Sequence, residues 1–431
     1  MNALRPLGLI MLSTICFFAA QGTGIGLFFH LAYILIGLLI LAFGWAWLNL
    51  HGLKITREIL TLRAHVGEFA RERITLENQW WCPKLWVEVR DHSTIPRHQR
   101  GFVATLQARQ HTRWIARTPC VVRGKFQLGP TTLISGDPFA IVRLERHIPT
   151  TNEIVVYPQL IELPQFALPD AELPGGQHIR SRAYQVTPNV ATVRDYAPGD
   201  GFNRIHWRTT ARTGQLMVKE FELDPSADVY IVLDLQERAA VRDTRSTAQA
   251  AMPANRRFFW EPGARDQRRH MTPPELASTE EYAVMAAASI AKRLLDQRRA
   301  VGMIAWGQER EVLLAEREPR QMFKLLEALA VLRAHAAQPL SEILIAESQR
   351  FSRNTTLVVI TSAIDERWPL TLRQLLYRGI RAVVVFIDPR SFGGWQDADA
   401  LLEQLVALRV HTYRLRQHQP LAEALSSALP R

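Results

Sequence analysis

The sequence predicts three successive parts: a transmembrane helical hairpin, a small antiparallel β-sandwich-like domain and a doubly wound α/β domain. Residues 6–50 contain no Lys, Arg, Asp or Glu. Residues 55–160 contain short, partly alternating apolar runs, whereas fully apolar runs alternate with amphipathic segments after residue 225. A chain of 431 residues is long enough for two or three such units.

Composition limits the classes of protein to which this chain can belong. A hydrophobic content of 47% with 22% charged residues excludes a mainly disordered chain. The 52 Lys and Arg exceed the 41 Asp and Glu, which gives a net charge of +11. This excess suits an anionic membrane surface or a nucleic acid. The cysteines, Cys16, Cys82 and Cys120, are too few and too scattered for a disulfide framework or a thiolate metal site.

The first part is predicted to be a membrane anchor. Residues 6–50 are long enough for two spans of about 20 residues each, separated by glycines and polar residues at 21–26. A cleaved signal peptide is the alternative, but the first span lacks an Ala-x-Ala cleavage pattern. Basic residues flank the stretch on one side only, at Arg5, Lys54, Arg57 and Arg63. The positive-inside rule therefore predicts an anchor over residues 1–54 in the inner membrane, multi-pass, with the soluble domains facing the cytoplasm.

Residues 55–180 are predicted to form the β-rich domain. Strand-length apolar runs recur between residues 74 and 157, with Pro, Gly, Asn or Asp between several of them. Such spacing without helical periods is typical of a small antiparallel sandwich. Trp80 and Trp81 form either a docking patch or part of the packing, and we favour packing. We predict no site within this domain.

Residues 225–431 are predicted to form the α/β domain, with strands at 228–233, 300–306, 356–361, 382–387 and 410–415. Continuous apolar strands joined by amphipathic helices are typical of a parallel sheet that is buried on both faces. Ligand sites in such folds lie at the carboxyl ends of the strands. Those ends are Asp234, Trp306, Thr361 with Ser362, and Asp388.

An Arg-rich stretch at residues 237–278 interrupts this domain. It contains eight Arg, several Pro and no clear period. We interpret it as a flexible insertion. Its charge offers an alternative function for the chain, which is the binding of anionic lipid or nucleic acid through this loop.

The segment at residues 181–224 joins the two predicted domains and carries the densest pattern in the sequence. Pro198 and Gly199 suit the centre of a type II turn. Asn203 is expected to cap a short helix that ends at Gly214. Basic side chains recur every four residues at Arg204, Arg208 and Arg212, so we expect them on one helical face.

This segment resembles the bacterial family called domain of unknown function fifty-eight, whose members carry Arg-x-Tyr-x-x-Gly-Asp, then Arg-x-Ile-x-Trp and Ala-Arg. The matching residues are Arg194, Tyr196, Gly199, Asp200, Arg204, Ile205, Trp207, Ala211 and Arg212. The resemblance extends to the two spans, to Leu128–Pro130 and Asp137–Phe139, and to a final domain similar to von Willebrand factor A. We assign a structural or interaction role to Arg194, Asp195, Tyr196, Gly199, Asp200, Arg204, His206, Trp207, Arg208 and Arg212.

The resemblance implies a membrane-anchored, non-catalytic scaffold or adaptor that acts in assembly or maturation. The implied protein partners are a MoxR-type AAA+ ATPase and a transglutaminase-like membrane protein. The membrane itself is contacted through residues 6–50. The resemblance implies no cofactor, and we do not expect nucleic acid as the main partner.

Von Willebrand factor A domains hold Mg²⁺ through Asp-x-Ser-x-Ser, and that site is altered here. The matching stretch begins at Asp234 and lacks both hydroxyls, and Arg238 brings a cation to the place of the ion. We therefore predict no metal and interpret Asp234 as a degenerate metal-site position. The sequence also lacks a Gly-x-Ser-x-Gly elbow, a phosphate loop and a His-Glu-x-x-His pair, so we predict no enzyme. The weaker catalytic alternative is a hydrolase that uses His206 with Asp195 or Asp200.

Overall fold

The computed structural model describes residues 4–98, 101–166, 168, 190–196, 205–221, 228–242, 278–353 and 355–428. They form two compact units. The first unit comprises Met1–Ile161, Arg242–Ser289 and Phe323–Arg333, and the second comprises Glu162–Val241, Ile290–Met322 and Ala334–Arg431. Most of the Arg-rich insertion, on which the alternative function depends, lies outside the described residues.

Two long apolar helices open the first unit: α1 (Leu4–Thr23) and α2 (Gly26–Leu50). They pack against each other, and the chain reverses at Gly24, whose φ of +68° suits glycine. Large apolar side chains such as Leu27 and Leu41 point outward, with 72% of each exposed. Both helices are long and apolar enough to cross a membrane. The predicted pair of apolar helices is confirmed.

The β-rich region of the first unit contains three sheets, with the strand orders β1-β3-β6, β2-β10-β7 and β5-β4-β8-β9. Pairing is antiparallel except between β2 and β10. Leu76, Leu106 and Leu133 come from two of these sheets and share one buried cluster. The predicted sheet-rich middle region is therefore confirmed. Its strands are β1 (Leu53–Ile59), β2 (Arg63–His65), β3 (Phe69–Asn78), β4 (Lys84–Asp91), β5 (Gly101–Leu106), β6 (His111–Pro119), β7 (Gly124–Leu128), β8 (Thr131–Gly136), β9 (Arg143–Ile148) and β10 (Asn152–Tyr157).

The second unit begins with a small sheet of β11 (Val190–Asp195) and β12 (Met217–Phe221), with α3 (Trp207–Thr213) between them. Its main sheet has six strands in the order β15-β14-β13-β16-β17-β18. All neighbours in this sheet are parallel except β14 and β15. The six strands are β13 (Val229–Asp234), β14 (Val301–Trp306), β15 (Arg310–Glu316), β16 (Thr356–Thr361), β17 (Arg381–Ile387) and β18 (His411–Leu415).

The predicted mixture of strands and helices in the C-terminal region is confirmed, although the edge strand β15 was not predicted. Residues of β13 and β16 are buried along the whole strand, which explains their continuous apolar runs. The likeness to von Willebrand factor A stays a prediction. The remaining described helices are α4 (Thr279–Asp296), α5 (Pro319–Val331), α6 (Leu340–Glu347), α7 (Arg367–Tyr377), α8 (Asp399–Ala407) and α9 (Leu421–Ala424).

Candidate functional site

The centre of the six-stranded sheet is a switch point in strand order. After β13 the chain continues to β14 on one side, whereas β16 lies on the other side. The crevice at such a point is the usual ligand site of open α/β sheets. Asp234 is the last residue of β13 and Thr361 is the last residue of β16. Two of the predicted strand-end residues therefore meet at the switch point.

Both carboxyl oxygens of Asp234 accept hydrogen bonds from other groups of the protein. The Thr361 hydroxyl donates to Oδ2 at 2.6 Å, and the main-chain N–H of Gln236 donates to Oδ1 at 3.1 Å. Burial raises the pKa of Asp234, although these two hydrogen bonds oppose the rise. A carboxyl group whose pKa is raised and whose two oxygens already accept from protein donors is a poor ligand for a hard cation. This geometry favours a structural role for Asp234.

The next strand end, at Asp388, is paired with arginine. Arg414 donates to Oδ2 of Asp388 through Nε at 3.1 Å and through Nη2 at 2.8 Å. The main-chain N–H of Arg390 donates to Oδ1 at 3.1 Å. At the fourth predicted strand end, the guanidinium of Arg310 lies 5.7 Å from the ring centre of Trp306. Each of the four predicted strand ends thus contacts a neighbouring residue of the same unit.

The family-like segment is partly described. Arg194 and Asp195 end β11, and Tyr196 follows them. Gly199, Asp200 and Arg204 lie outside the described residues. We therefore assign no geometry to the predicted turn.

The helix of this segment, α3, begins later than predicted. Its cap is His206 and not Asn203, because the main-chain N–H of Thr209 donates to Nδ1 of His206 at 3.2 Å. The predicted end at Gly214 is confirmed, and the φ of this residue is +71°. Nδ1 of His206 also lies 2.6 Å from the Thr209 hydroxyl. This capping role gives His206 a structural explanation that requires no catalysis.

The exposed face of α3 carries the basic side chains of the segment. Trp207 is 65% exposed, and Arg208 and Arg212 are exposed too. Among the residues that the structure describes, Arg208 and Arg212 have no ion-pair partner. A surface with an exposed aromatic group and free guanidinium groups is suited to contact with another macromolecule.

A polar clamp that sequence reasoning missed joins α2 to β4. The Lys84 ammonium, which is fully buried, donates to the main-chain carbonyl of Leu48 in the last turn of α2. The side-chain amide of Asn49 donates to the Leu85 carbonyl at 3.0 Å and accepts from the Leu85 N–H at 3.2 Å. We call this arrangement of Leu48, Asn49, Lys84 and Leu85 the junction clamp.

Aromatic rings pack around the junction clamp. The His51 ring centre lies 4.6 Å from that of Trp47 and 4.4 Å from that of Trp80. The Lys84 ammonium lies 5.1 Å from the Trp80 ring centre. Trp80 therefore packs, as we favoured from the sequence, whereas 71% of Trp81 is exposed.

A cleft of about 590 Å³ lies beside the junction clamp. The strand pairing of β4 with β5 shifts between Lys84 and Val87, and Trp86 within this bulge has a φ of +60°. As a result, 77% of the Trp86 side chain is exposed. We call this space the junction cleft, and its lining includes Arg5, Trp45, Leu85, Trp86, Val103 and Arg143.

The β-rich region also contains a buried charge cluster. The side chains of Arg57, Glu72, Asp91 and His98 are at most 6% exposed. Arg57 pairs with Asp91, and its Nε lies 3.5 Å from Oε2 of Glu72. Nε2 of His98 lies 3.2 Å from Oδ2 of Asp91 and 3.7 Å from Oε1 of Glu72.

The pKa values of two carboxyl groups in this cluster are shifted in opposite directions. Burial raises the pKa of Glu72. Burial also acts to raise the pKa of Asp91, but the contacts from His98 and Ser93 and the charge of Arg57 outweigh it and lower the pKa to about 2. Glu72, Asp91 and His98 place ligand atoms within 4.8 Å of one another, a spacing that a metal ion can use. Because Arg57 already supplies positive charge to both carboxylates, the geometry favours an ion-pair network over a metal centre.

Comparison with known proteins supports the resemblance at the family-like segment. The family model described as "Protein of unknown function DUF58" matches residues 192–254. An uncharacterized protein named YeaD from Bacillus subtilis (strain 168) is 22% identical over 376 residues, which cover 85% of this chain and 84% of that protein. The predicted resemblance is confirmed for the matched segment. Neither comparison identifies an activity.

Two solved structures that this chain resembles each match about a quarter of it, 24% in both cases. The CARDB domain of a Pyrococcus furiosus protein is 11% identical, with a TM-score of 0.20, and the match covers 24% of this chain and 94% of that domain. A β-glucosidase from Listeria innocua in complex with gluconolactone is 10% identical, with a TM-score of 0.17, over 24% of this chain and 16% of that enzyme. These likenesses are too weak to indicate a shared fold or function.

Proposed function

We propose that the protein is a membrane-anchored, non-catalytic scaffold that recruits protein partners, among them a MoxR-type AAA+ ATPase and a transglutaminase-like membrane protein. The junction clamp is the observation that carries this proposal. A flexible tether would hold a soluble domain at a membrane without any fixed angle. Here Lys84 and Asn49 fix β4 to the last turn of α2, so the β-rich region keeps one orientation relative to the two apolar helices.

The strand ends of the second unit support a role without catalysis. The carboxyl group of Asp234 accepts a hydrogen bond from Thr361, and that of Asp388 accepts one from Arg414. An enzyme of this fold class would need free chemical groups at these positions. The proposed orientation, with both ends of the chain in the cytoplasm, rests on the basic flanks of residues 6–50.

Exposed aromatic side chains on the second unit support recruitment of partners. Trp207, Tyr377 and Trp395 are 65%, 83% and 89% exposed. Tyrosine and tryptophan are enriched in protein interfaces and contribute much of the binding free energy there. We propose that at least one of these side chains contacts the ATPase.

The proposal is tested by purification of the tagged full chain from detergent-solubilised membranes, followed by mass spectrometry of the proteins that co-purify. We expect a MoxR-type AAA+ ATPase with the unaltered chain. We expect Trp207→Ala, Tyr377→Ala or Trp395→Ala to reduce its recovery, whereas the matched control Trp81→Ala, on the first unit, retains it. Recovery of membrane-integrated chain without any AAA+ ATPase would overturn the scaffold proposal.

A further inference from the structure

The junction cleft lies at the level of the membrane surface if α1 spans the bilayer. The helix α1 has 20 residues, which corresponds to about 30 Å, the thickness of the hydrocarbon core. Arg5 lies in its first turn, so its guanidinium is at the level of the lipid head groups. Nη1 of Arg5 donates to the carbonyl of Ala140 at 3.0 Å. The connection from β8 to β9, which contains Ala140, is therefore at the same level.

The β8–β9 connection packs directly on the apolar helices. Ile141 and Val142 share a buried cluster with Ala42 and Ala46 of α2. Phe139, in the same connection, is 70% exposed. An apolar aromatic group beside a spanning helix is in the position that interfacial aromatic residues take in membrane proteins. The first unit thus presents an apolar surface to the interface of the bilayer.

The lining of the junction cleft matches an amphipathic ligand. Trp45, Leu85, Trp86 and Val103 supply apolar surface, and Arg5 and Arg143 supply guanidinium groups at the same cleft. A volume of about 590 Å³ falls within the range of roughly 300–1,000 Å³ that is usual for ligand sites. Guanidinium groups bind phosphate oxygens through directed hydrogen bonds.

The carboxylates near the cleft already have partners within the protein. Oε1 of Glu88 lies 2.6 Å from Nη2 of Arg90, and its Oε2 lies 3.4 Å from Nη2 of Arg143. Nε of Arg143 also lies 3.4 Å from Oε1 of Glu145. The carboxyl oxygens of Asp137 accept from the main-chain N–H groups of Phe139 at 2.8 Å and of Val142 at 2.6 Å. These contacts leave Arg5 as the least compensated charge at the cleft, because among the described residues its guanidinium has a hydrogen bond to a carbonyl and no carboxylate partner.

Trp86 is held in a strained conformation at the wall of the cleft. A bulky residue with a φ of +60° is a backbone outlier. Such strain persists only where the surrounding structure imposes it, and it concentrates at ligand sites. Here the Asn49 amide fixes the preceding residue, Leu85, through two hydrogen bonds. The clamp therefore directs the Trp86 ring outward into the cleft.

We propose that the junction cleft binds one phospholipid from the adjoining leaflet, with its phosphate at Arg5 and Arg143 and an acyl chain along Trp86 and Val103. This inference rests on the membrane anchoring in the proposed function. The bound lipid acts as a third component of the junction, because it fills the space between α2 and the β-rich region.

Native mass spectrometry of the full chain, after exchange into fresh detergent, tests the inference. We expect the unaltered protein to retain a single phospholipid. We expect Trp86→Ala to bind it about tenfold more weakly, which corresponds to about 1.4 kcal/mol, and therefore to retain less of it. The matched control is Trp81→Ala, since Trp81 is similarly exposed but does not line the cleft. Equal retention in the two variants, or no retained lipid in the unaltered protein, would overturn the inference.

The head group is tested by adding phosphatidylglycerol or diacylglycerol with the same acyl chains to delipidated protein. We expect the unaltered protein to prefer the phosphate-bearing lipid, and Arg5→Gln with Arg143→Gln to lose that preference. Equal binding of both lipids by the unaltered protein would show that the phosphate is not recognised. Carbonate extraction of membranes separates the two proposals: a chain that stays in the membrane but retains no lipid contradicts only this inference, whereas a chain that is extracted contradicts the anchoring itself.

Discussion

The ammonium group of Lys84 donates a hydrogen bond to the main-chain carbonyl of Leu48. That carbonyl lies in the last turn of α2, where the carbonyl groups of a helix lack partners within it and the helix dipole favours a cation. Burial lowers the pKa of Lys84, and the Trp80 ring at 5.1 Å favours its charged form. A single side chain of β4 thus supplies a donor to a carbonyl in the last turn of the second apolar helix.

Replacement of this lysine should weaken the junction. We expect Lys84→Met to lower the free energy of unfolding by about 1–3 kcal/mol, because the buried Leu48 carbonyl loses its donor while the apolar stem is kept. Thermal unfolding of the detergent-solubilised chain measures the loss. The control is Lys54→Met, since Lys54 is exposed on β1. A pair of variants with the same midpoint would contradict a structural role for the hydrogen bond.

The same pair of variants predicts a pH dependence. Because burial lowers the pKa of Lys84, the folded chain binds fewer protons than the unfolded chain at pH values between this lowered pKa and the ordinary value of about 10.4. The stability of the unaltered protein relative to Lys84→Met should therefore rise with pH through that window. Unfolding midpoints at about pH 8 and about pH 10 test this sign. A difference that shrinks as the pH rises would contradict it.

The buried strands could be predicted from the sequence because burial on both faces leaves an unbroken apolar run. The strand β16, with the sequence Thr-Leu-Val-Val-Ile-Thr, is such a case. The edge strand β15 was missed since it is partly exposed and carries charged residues, among them Arg310 and Glu316. Its pattern of apolar and charged residues therefore resembles that of a loop. The cap of α3 was misplaced for a similar reason, because Asn203 is a common capping residue and His206 is not.

The strand-end positions of Asp234 and Thr361 could be predicted, whereas the junction clamp could not. Asp234 and Thr361 end apolar strands, so their positions in a parallel sheet follow from the chain alone. Lys84 donates to a main-chain carbonyl 36 residues earlier in the chain. Every residue has such a carbonyl, so the sequence does not indicate which one accepts the hydrogen bond. A lysine at the start of a strand is usually exposed to solvent. Only the fold shows that Lys84 is buried.

Asp234→Asn tests the structural role of the switch point. Burial raises the pKa of Asp234, so the folded chain binds more protons than the unfolded chain between the ordinary value of about 3.9 and the raised pKa. The unaltered protein therefore loses stability as the pH rises through that window. We expect Asp234→Asn, which does not titrate, to gain stability relative to it over the same window. Asp296→Asn, at an exposed residue, serves as the control and should show no such trend.

Added Mg²⁺ separates this role from metal binding at the same residue. Since Thr361 and Gln236 occupy the oxygens of Asp234, we expect Mg²⁺ to leave the unfolding midpoints of both proteins unchanged. A ligand that binds only the folded state raises the midpoint. A rise for the unaltered chain that Asp234→Asn abolishes would show that Asp234 holds the ion.

Arg123 should be the most costly single side chain to remove from the first unit. It is fully buried, and its guanidinium pairs with Glu280, through Nη2 at 2.6 Å, and with Glu281. It also donates to the carbonyls of Leu329 at 3.0 Å and Leu332 at 2.6 Å. We expect Arg123→Met to destabilise the chain by about 3–5 kcal/mol, because two partly buried carboxylates lose their main partner.

The cause of that loss can be isolated with a compensating variant. If unpaired carboxylates dominate the cost, then Arg123→Met combined with Glu280→Gln and Glu281→Gln should recover much of the stability that Arg123→Met loses, as measured by denaturant unfolding in detergent. Arg208→Met, at an exposed arginine, should have little effect. Equal destabilisation in the single and triple variants would assign the role of Arg123 to its hydrogen bonds with the carbonyls of Leu329 and Leu332, because those carbonyls lose their donor in both variants.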